Sequence, residues 1–302
     1  MSSVEGIERF ADISTEAREY FWRHGFLCVR GFLSGEQLDV LKAIYRETRP
    51  FRKSYRNSAV QRFQPLERFD QFRGCLEHLD SRKISALGAE LTGADAFVVQ
   101  NLFGAWTSNS RLTYILPWHR DIRDNSSGYD YSLWDAKRAA PEYFLQFNLP
   151  IFDDASFWVV PGSHARPDTP AEAAQFAVKP VTVPWQERFF NPWLPKSRAD
   201  QNAFRLFRLK EYALNQLDRR NALSASTNRA RLQRCVGYAH TMPAAVEVAV
   251  QAGDILFYRG CSWHTAIYRA DVERFTFFSN VRTRNSDDWY QGTFLPSRRA
   301  AH

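Results

Sequence analysis

The sequence predicts a mainly β domain, a sandwich or a barrel, flanked at its N-terminal end by helices. Three observations lead there. From about Phe97 the chain breaks into short apolar runs separated by turn residues: "AFVVQNLF", "YFLQFNLPIF", "SFWVV", "AVEVAV", "DILFY" and "RFTFFSNV". That is the pattern of many short strands. Before that point the apolar residues recur at helical spacing. Aromatic residues make up 15% of the chain, enough for a β-rich core or for a pocket shaped to a sizeable organic molecule.

The elements follow in order. "STEAREYFWRHG" places Ala17, Tyr20, Phe21 and His24 at helical spacing and stops at Gly25. "FLCVRGF" reads as a short strand. "SGEQLDVLKAIYRE" starts a second helix, with Ser34 and Gln37 at capping-box spacing and Leu38, Leu41 and Tyr45 on one face. Residues 1–96 therefore read as mainly helical, and residues 97–164 and 235–285 as the β core. Residues 165–234 interrupt that core. They begin Pro-rich, contain "VPWQERFFNPWLP" and turn helical from Ala203 to Leu217. Because strands resume afterwards, residues 1–302 read as one domain carrying an insertion. Trp185, Phe189, Phe190 and Trp193 make the insertion a candidate active-site cover; a surface elaboration with its own small core is the plainer alternative.

Composition narrows the class. The 302 residues are 44% hydrophobic and 24% charged, which is globular. No apolar run reaches the length of a membrane span, and the first residues lack the basic-then-apolar order of a signal peptide. Cys28, Cys75, Cys235 and Cys261 are scattered without a CxxC pair, as expected for reduced thiols in a cytoplasmic protein. The net charge of +7 comes from basic residues mixed with acids over most of the chain. The local excess between Arg205 and Arg234 reads as a solvated helix face rather than a nucleic-acid groove. The basic balance mildly favours an anionic small molecule. Nothing in the sequence speaks to the oligomeric state.

The chemistry gathers in two stretches. In "LPWHRD", His119 and Asp121 are two apart, so in a strand both side chains point the same way. Taken alone, an ordinary His–Asp hydrogen bond explains the pair. The second stretch is "QAGDILFYRGCSWHTAIYRADVERFTFFSNV". It reads as a turn at Gly253-Asp254, a strand, a loop and then His264. Arg274 opens an alternating strand that shares a face with Thr276 and Phe278. Two imidazoles and one carboxylate with open positions form the facial triad of non-haem Fe(II) oxygenases. Such a site needs an anionic co-substrate nearby, and the rigid fork of an arginine grips a carboxylate in bidentate fashion.

Taken together, "FWRHGFLCVRGFLSGEQLDVLKA", "WHRD", "FWVVPGSH", "AGDILFY", His264 and Arg274 occur in an order that resembles the phytanoyl-CoA dioxygenase-like enzymes. The resemblance spans most of the chain outside residues 165–234. It implies a double-stranded β-helix, that is, a cupin-like jelly-roll core. It implies Fe(II) on His119, Asp121 and His264, with O2 and 2-oxoglutarate as co-substrates and succinate and CO2 as co-products. It implies that Arg274 binds the far carboxylate of 2-oxoglutarate, helped by the Thr276 hydroxyl, with Gln100 as a further polar contact from the strand before His119. The expected reaction is hydroxylation of a C–H bond in a small molecule of secondary metabolism; desaturation, epoxidation and ring formation share the same metal ligands. Asp121 argues against halogenation, because related halogenases carry a small residue there. The chain departs from its relatives in "IFDDASFWVV", which lacks their Asn-Gly turn, and at Ala266, where they carry a small hydroxyl residue.

Other residues have two readings. His164 rivals His264 as third ligand, but the simpler reading is a turn at Pro161–Ser163 capped by His164. Arg120 should point away from the metal and could still contact substrate. Gln146 and Asn148 share a strand face and could reach substrate or satisfy backbone groups. Trp134 is a lid or packing, and His240 a pocket residue or structural. Two rival functions stay open: a non-catalytic cupin-like binding protein, and an oxygenase acting on a macromolecule.

Overall fold

The structure, a computed structural model, describes residues 8–55, 60–108, 113–123, 131–177 and 225–294. The N-terminal part contains β1 (Arg9–Phe10), α1 (Thr15–His24), β2 (Phe26–Val29), α2 (Gly35–Glu47), α3 (Arg49–Ser54), β3 (Val60–Phe63), α4 (Arg73–Glu77) and α5 (Ser81–Thr92). There follow β4 (Ala96–Val98), β5 (Gly104–Ser108), β6 (Tyr114–Ile115), α6 (Tyr131–Arg138), β7 (Leu145–Pro150), β8 (Asp154–Val159) and α7 (Pro170–Ala177). The chain continues through α8 (Ala225–Thr241), β9 (Val246–Val250), β10 (Ile255–Arg259), β11 (His264–Tyr268), β12 (Phe275–Thr283) and α9 (Arg284–Phe294).

The helix ends follow from local chemistry. The Ser14 hydroxyl accepts from the Ala17 amide and caps α1, and Gly25 ends it in the left-handed region at φ 82°. Ser34 and Gln37 form the expected capping box at the start of α2.

Two sheets face each other as a cupin-like double-stranded β-helix. The larger runs in the order β1-β2-β10-β7-β12-β5-β3, with β4 added on β12. The smaller runs β6-β11-β8-β9. Strand alternation sorts side chains between three layers. Phe147, Leu149, Phe257, Phe275 and Phe277 leave the outer face of the larger sheet and pack under Phe21, Leu41, Tyr45, Ile84 and Leu91 of the helices. Between the sheets lie Phe26, Cys28, Leu256 and Tyr258 from one side and Phe157, Val159, Val248 and Val250 from the other. On the outer face of the smaller sheet, Trp158, Trp263 and Ile267 pack with Trp118 under Cys235, Tyr238 and Ala239 of α8. Phe277 is fully buried, so its truncation to Ala should cost about 3–5 kcal/mol.

Two expectations change. Residues 235–241 belong to α8 rather than to a strand, because they roof the tryptophans of the smaller sheet. "AFVVQNLF" splits into β4 and a 3-10 turn at Gln100–Leu102. His264 follows the loop, as read from the sequence, and opens β11, whose five residues are all buried. Trp185, Phe189, Phe190, Trp193 and the helical pattern from Ala203 to Leu217 lie outside the described residues. No helix among the described residues is long and apolar enough to cross a membrane. The four cysteines are buried and no disulfide joins them.

Candidate metal centre

The stretch after β6 runs antiparallel to the chain leading into β11. The Leu116 amide donates to the Ala266 carbonyl at 3.0 Å, and His119 and His264 exchange both backbone hydrogen bonds at 3.0 and 3.1 Å. The Asp121 amide donates to the Gly260 carbonyl at 2.7 Å. This pairing puts His119, Asp121 and His264 on one face, with one ligand atom from each lying within 4.8 Å of the others. His119 Nε2 is 3.6 Å from Asp121 Oδ1, and His264 Nε2 is 3.8 Å from Asp121 Oδ2. The two imidazole centroids are 4.3 Å apart.

The second nitrogen of each ring fixes its role. His119 Nδ1 lies 2.9 Å from the Pro117 carbonyl, and His264 Nδ1 lies 2.9 Å from the Ser262 carbonyl. A carbonyl can only accept, so each Nδ1 carries the proton. In the neutral ring this tautomer turns the Nε2 lone pair toward Asp121, the arrangement a metal ligand needs.

Asp121 is held from several sides. Gln146 Nε2 donates to Asp121 Oδ2 at 2.5 Å, and the Tyr258 hydroxyl donates to Gln146 Oε1 at 2.8 Å. Trp134 Nε1 and the Arg123 amide donate to the Asp121 carbonyl at 3.2 and 2.8 Å. Gly260 presses against the carboxylate: a Cβ there would stand 2.6 Å from Gln146 Nε2 and 2.8 Å from Asp121 Oδ2. Just beyond, Ile122 takes φ 70° and turns the chain away. A β-branched residue rarely adopts that value without a strong surrounding demand.

Arg274 and Thr276 share the inner face of the larger sheet, and both meet Asp154. Arg274 Nε donates to Asp154 Oδ2 at 2.8 Å and Thr276 Oγ1 donates to the same oxygen at 2.7 Å. The Ser156 amide donates to Asp154 Oδ1 at 2.9 Å. Although burial works against ionisation, the adjacent guanidinium and these donors hold the Asp154 carboxyl below the usual carboxylate range. Among the described residues no hydrogen-bond acceptor reaches the buried Arg274 Nη1, and the guanidinium carbon lies 4.7 Å from the Tyr268 ring centroid. The "IFDDASF" turn therefore supplies an internal counter-ion to the arginine expected to bind a ligand, a contact that local sequence does not show.

Several expected residues are placed elsewhere. Arg120 points away from the triad, as strand alternation requires. Its guanidinium is fully buried, donates to the Ser163 and Cys261 carbonyls at 2.7 and 2.9 Å, and pairs with Asp168 at 2.7 Å. It borders a separate cavity of about 300 Å³ with Arg123, Trp134, Arg166 and Asp168. Trp134 is packing: it is buried with Tyr143, Phe144 and Cys261 and steadies the Asp121 backbone. His240 is exposed on α8 and its ring meets Trp158 edge-on at 4.9 Å, on the outer face of the smaller sheet. Gln100 is exposed in the 3-10 turn and not on a strand. Asn148 does share the inner face with Gln146. His164 is buried apart from the triad, its Nε2 3.0 Å from the Trp22 carbonyl at the end of α1. Sequence reasoning missed Asp154, Tyr258 and Gly260. Only the Gly260 signal was visible, as a glycine in the "YRGCSWH" loop.

No protein-family profile and no curated protein matches the sequence. Solved structures do match. AviO1 from Streptomyces viridochromogenes Tue57 is 17% identical with a TM-score of 0.50, over 88% of this chain and 93% of that one. EvdMO1 is 14% identical with a TM-score of 0.52, over 89% of this chain and 49% of that one. HygX from Streptomyces hygroscopicus, solved with nickel, 2-oxoglutarate and hygromycin B bound, is 14% identical with a TM-score of 0.48, over 90% and 88%. The likeness is one of fold.

Proposed function

We propose that the chain is an Fe(II)- and 2-oxoglutarate-dependent dioxygenase, akin to the phytanoyl-CoA dioxygenase-like enzymes. It hydroxylates a C–H bond of a small molecule of secondary metabolism and releases succinate and CO2. One observation carries this: the ligand atoms of His119, Asp121 and His264 converge within 4.8 Å of one another, with each imidazole Nδ1 turned to a backbone carbonyl and each Nε2 turned to Asp121. Two imidazoles and a carboxylate on one face suit non-haem Fe(II) and leave positions open.

When bound, the iron couples O2 activation to decarboxylation of 2-oxoglutarate, and that cofactor chemistry drives the oxidation. The side chains do the positioning. Gln146, backed by Tyr258, fixes which Asp121 oxygen turns to the metal. Arg274, with its Nε edge held by Asp154, would bind the far carboxylate of 2-oxoglutarate. Thr276 stands beside that edge. Phe157 and Tyr258, with ring centroids 5.8 and 5.7 Å from that of His264, wall the metal side with apolar surface. A dry wall excludes water from a reactive oxidant.

Aerobic incubation with Fe(II) and 2-oxoglutarate should release succinate. His119→Ala, Asp121→Ala and His264→Ala should each abolish that release, and His164→Ala should not. Iron-loaded protein that yields no succinate would remove the proposal. Loss of iron in His164→Ala with retention in His264→Ala would reassign the third ligand.

A further inference from the structure

β3 carries an arginine that the metal centre does not use. Its neighbours Gln61 and Phe63 turn outward: Phe63 is fully buried in the helix-covered core, and Gln61 Nε2 donates to the Arg52 carbonyl at 2.6 Å. Arg62 therefore faces inward. Register pairs it with Trp106, and Trp106 with Thr276, so the three lie in one cross-strand row on the inner face. The guanidinium carbon stands 5.0 Å from the Trp106 ring centroid and 5.3 Å from that of Phe278. Those rings stack 5.0 Å apart. Gly104 makes the stack feasible, since a Cβ there would come within 2.8 Å of Phe278 Cζ.

Its lack of a paired carboxylate among the described residues sets this arginine apart. Among the described residues Arg274 is paired with Asp154, and Arg120 and Arg123 with Asp168. Arg62 has an aromatic floor and no carboxylate partner among the described residues. It is open to solvent, yet surrounding protein pulls its pKa down, opposed chiefly by the Asp121 carboxylate and then by Tyr268 and Tyr258. A cation beside two stacked rings matches a ligand with a flat apolar body and an oxyanion.

We propose that Arg62 anchors a carboxylate of the substrate, with the substrate's apolar body lying along Trp106 and Phe278. Naming the ligand as the oxidised substrate rests on the dioxygenase reading; the anion site itself does not.

The test is ligand-observed fluorine NMR on metal-free protein, with 4-fluorobenzoate and its neutral analogue 4-fluorobenzamide as probes. Wild type should bind the acid about tenfold more tightly than the amide, the worth of one charge-assisted hydrogen bond. Arg62→Gln should erase that preference, and Arg62→Lys should retain part of it. A preference that survives Arg62→Gln, or a wild type that does not separate acid from amide, overturns the proposal. A second arm separates the two sources of carboxylate. Anaerobic titration of the Fe(II) form with 2-oxoglutarate should give the same affinity in Arg62→Gln as in wild type. A loss as large as that in Arg274→Gln would assign Arg62 to the co-substrate and overturn the substrate role. Failure of wild type to bind 2-oxoglutarate at all strikes the dioxygenase reading, while the metal-free probes still decide Arg62.

Discussion

The burial of His164 predicts a stability that depends on pH. The residue is only 2% exposed, donates from Nε2 to the Trp22 carbonyl, and leaves Nδ1 buried without a partner among the described residues. A Cβ on Gly25 would collide with that nitrogen. Protonating Nδ1 would place a cation and an unpaired N–H in this space, near Arg259, Arg120 and Arg138. Burial is the main cause that pushes the pKa down to about 4 from the ordinary 6.5, with those arginines adding to it. The unfolded chain therefore binds a proton in the interval where the folded chain does not. The stabilisation is complete above the ordinary value and is lost as pH falls toward 4. At about 1.4 kcal/mol per unit, the full loss is roughly 3 kcal/mol, of which roughly 2 kcal/mol is gone by about pH 5. Urea unfolding of wild type and His164→Gln at pH 7 and pH 5 isolates this group, since other titrating residues are common to both. Wild type should lose about 2 kcal/mol more than the variant between the two pH values. Equal losses would refute the argument and mean that the ring protonates without cost.

Two further substitutions probe the metal centre and its neighbour. Gly260→Ala should leave the fold intact and weaken metal binding about 10–100-fold, because the methyl displaces Gln146 and the Asp121 carboxylate; Co(II) titration reads it. Asp154→Ala should destabilise the protein by about 3–5 kcal/mol, since it leaves a 5%-exposed Arg274 without its counter-ion. Denaturant midpoints check that value, and Asp154→Ala together with Arg274→Met should recover most of it.

Much of the architecture was legible in the sequence, and the exceptions have physical causes. Strands β7, β8, β9, β10 and β12 announced themselves because a half- or fully buried strand must carry short apolar runs. The caps of α1 and α2 were legible because an N-cap hydroxyl and a left-handed glycine act within a few residues. His119, Asp121 and His264 could be grouped because strand alternation and motif order both limit where they point. β11 escaped because "HTAIY" carries a metal-ligand candidate at its first position and no flanking turn of its own. The Arg274–Asp154 pair escaped because it joins residues 120 apart in sequence. Arg62 escaped for a related reason: "VQRF" is one short edge strand, and only its register with Trp106 shows which way the arginine faces. Gln100 was placed on a strand because a 3-10 turn is decided by what lies beneath it.

The most direct test of the metal centre is an anaerobic titration of purified protein with Fe(II) and then 2-oxoglutarate, followed in the visible range. A chelated keto acid gives a weak charge-transfer band. We expect the band in wild type and its loss in His264→Ala. Iron-loaded wild type that binds 2-oxoglutarate without the band, or a His264→Ala variant that keeps it, would contradict the assignment of His119, Asp121 and His264 as the iron ligands.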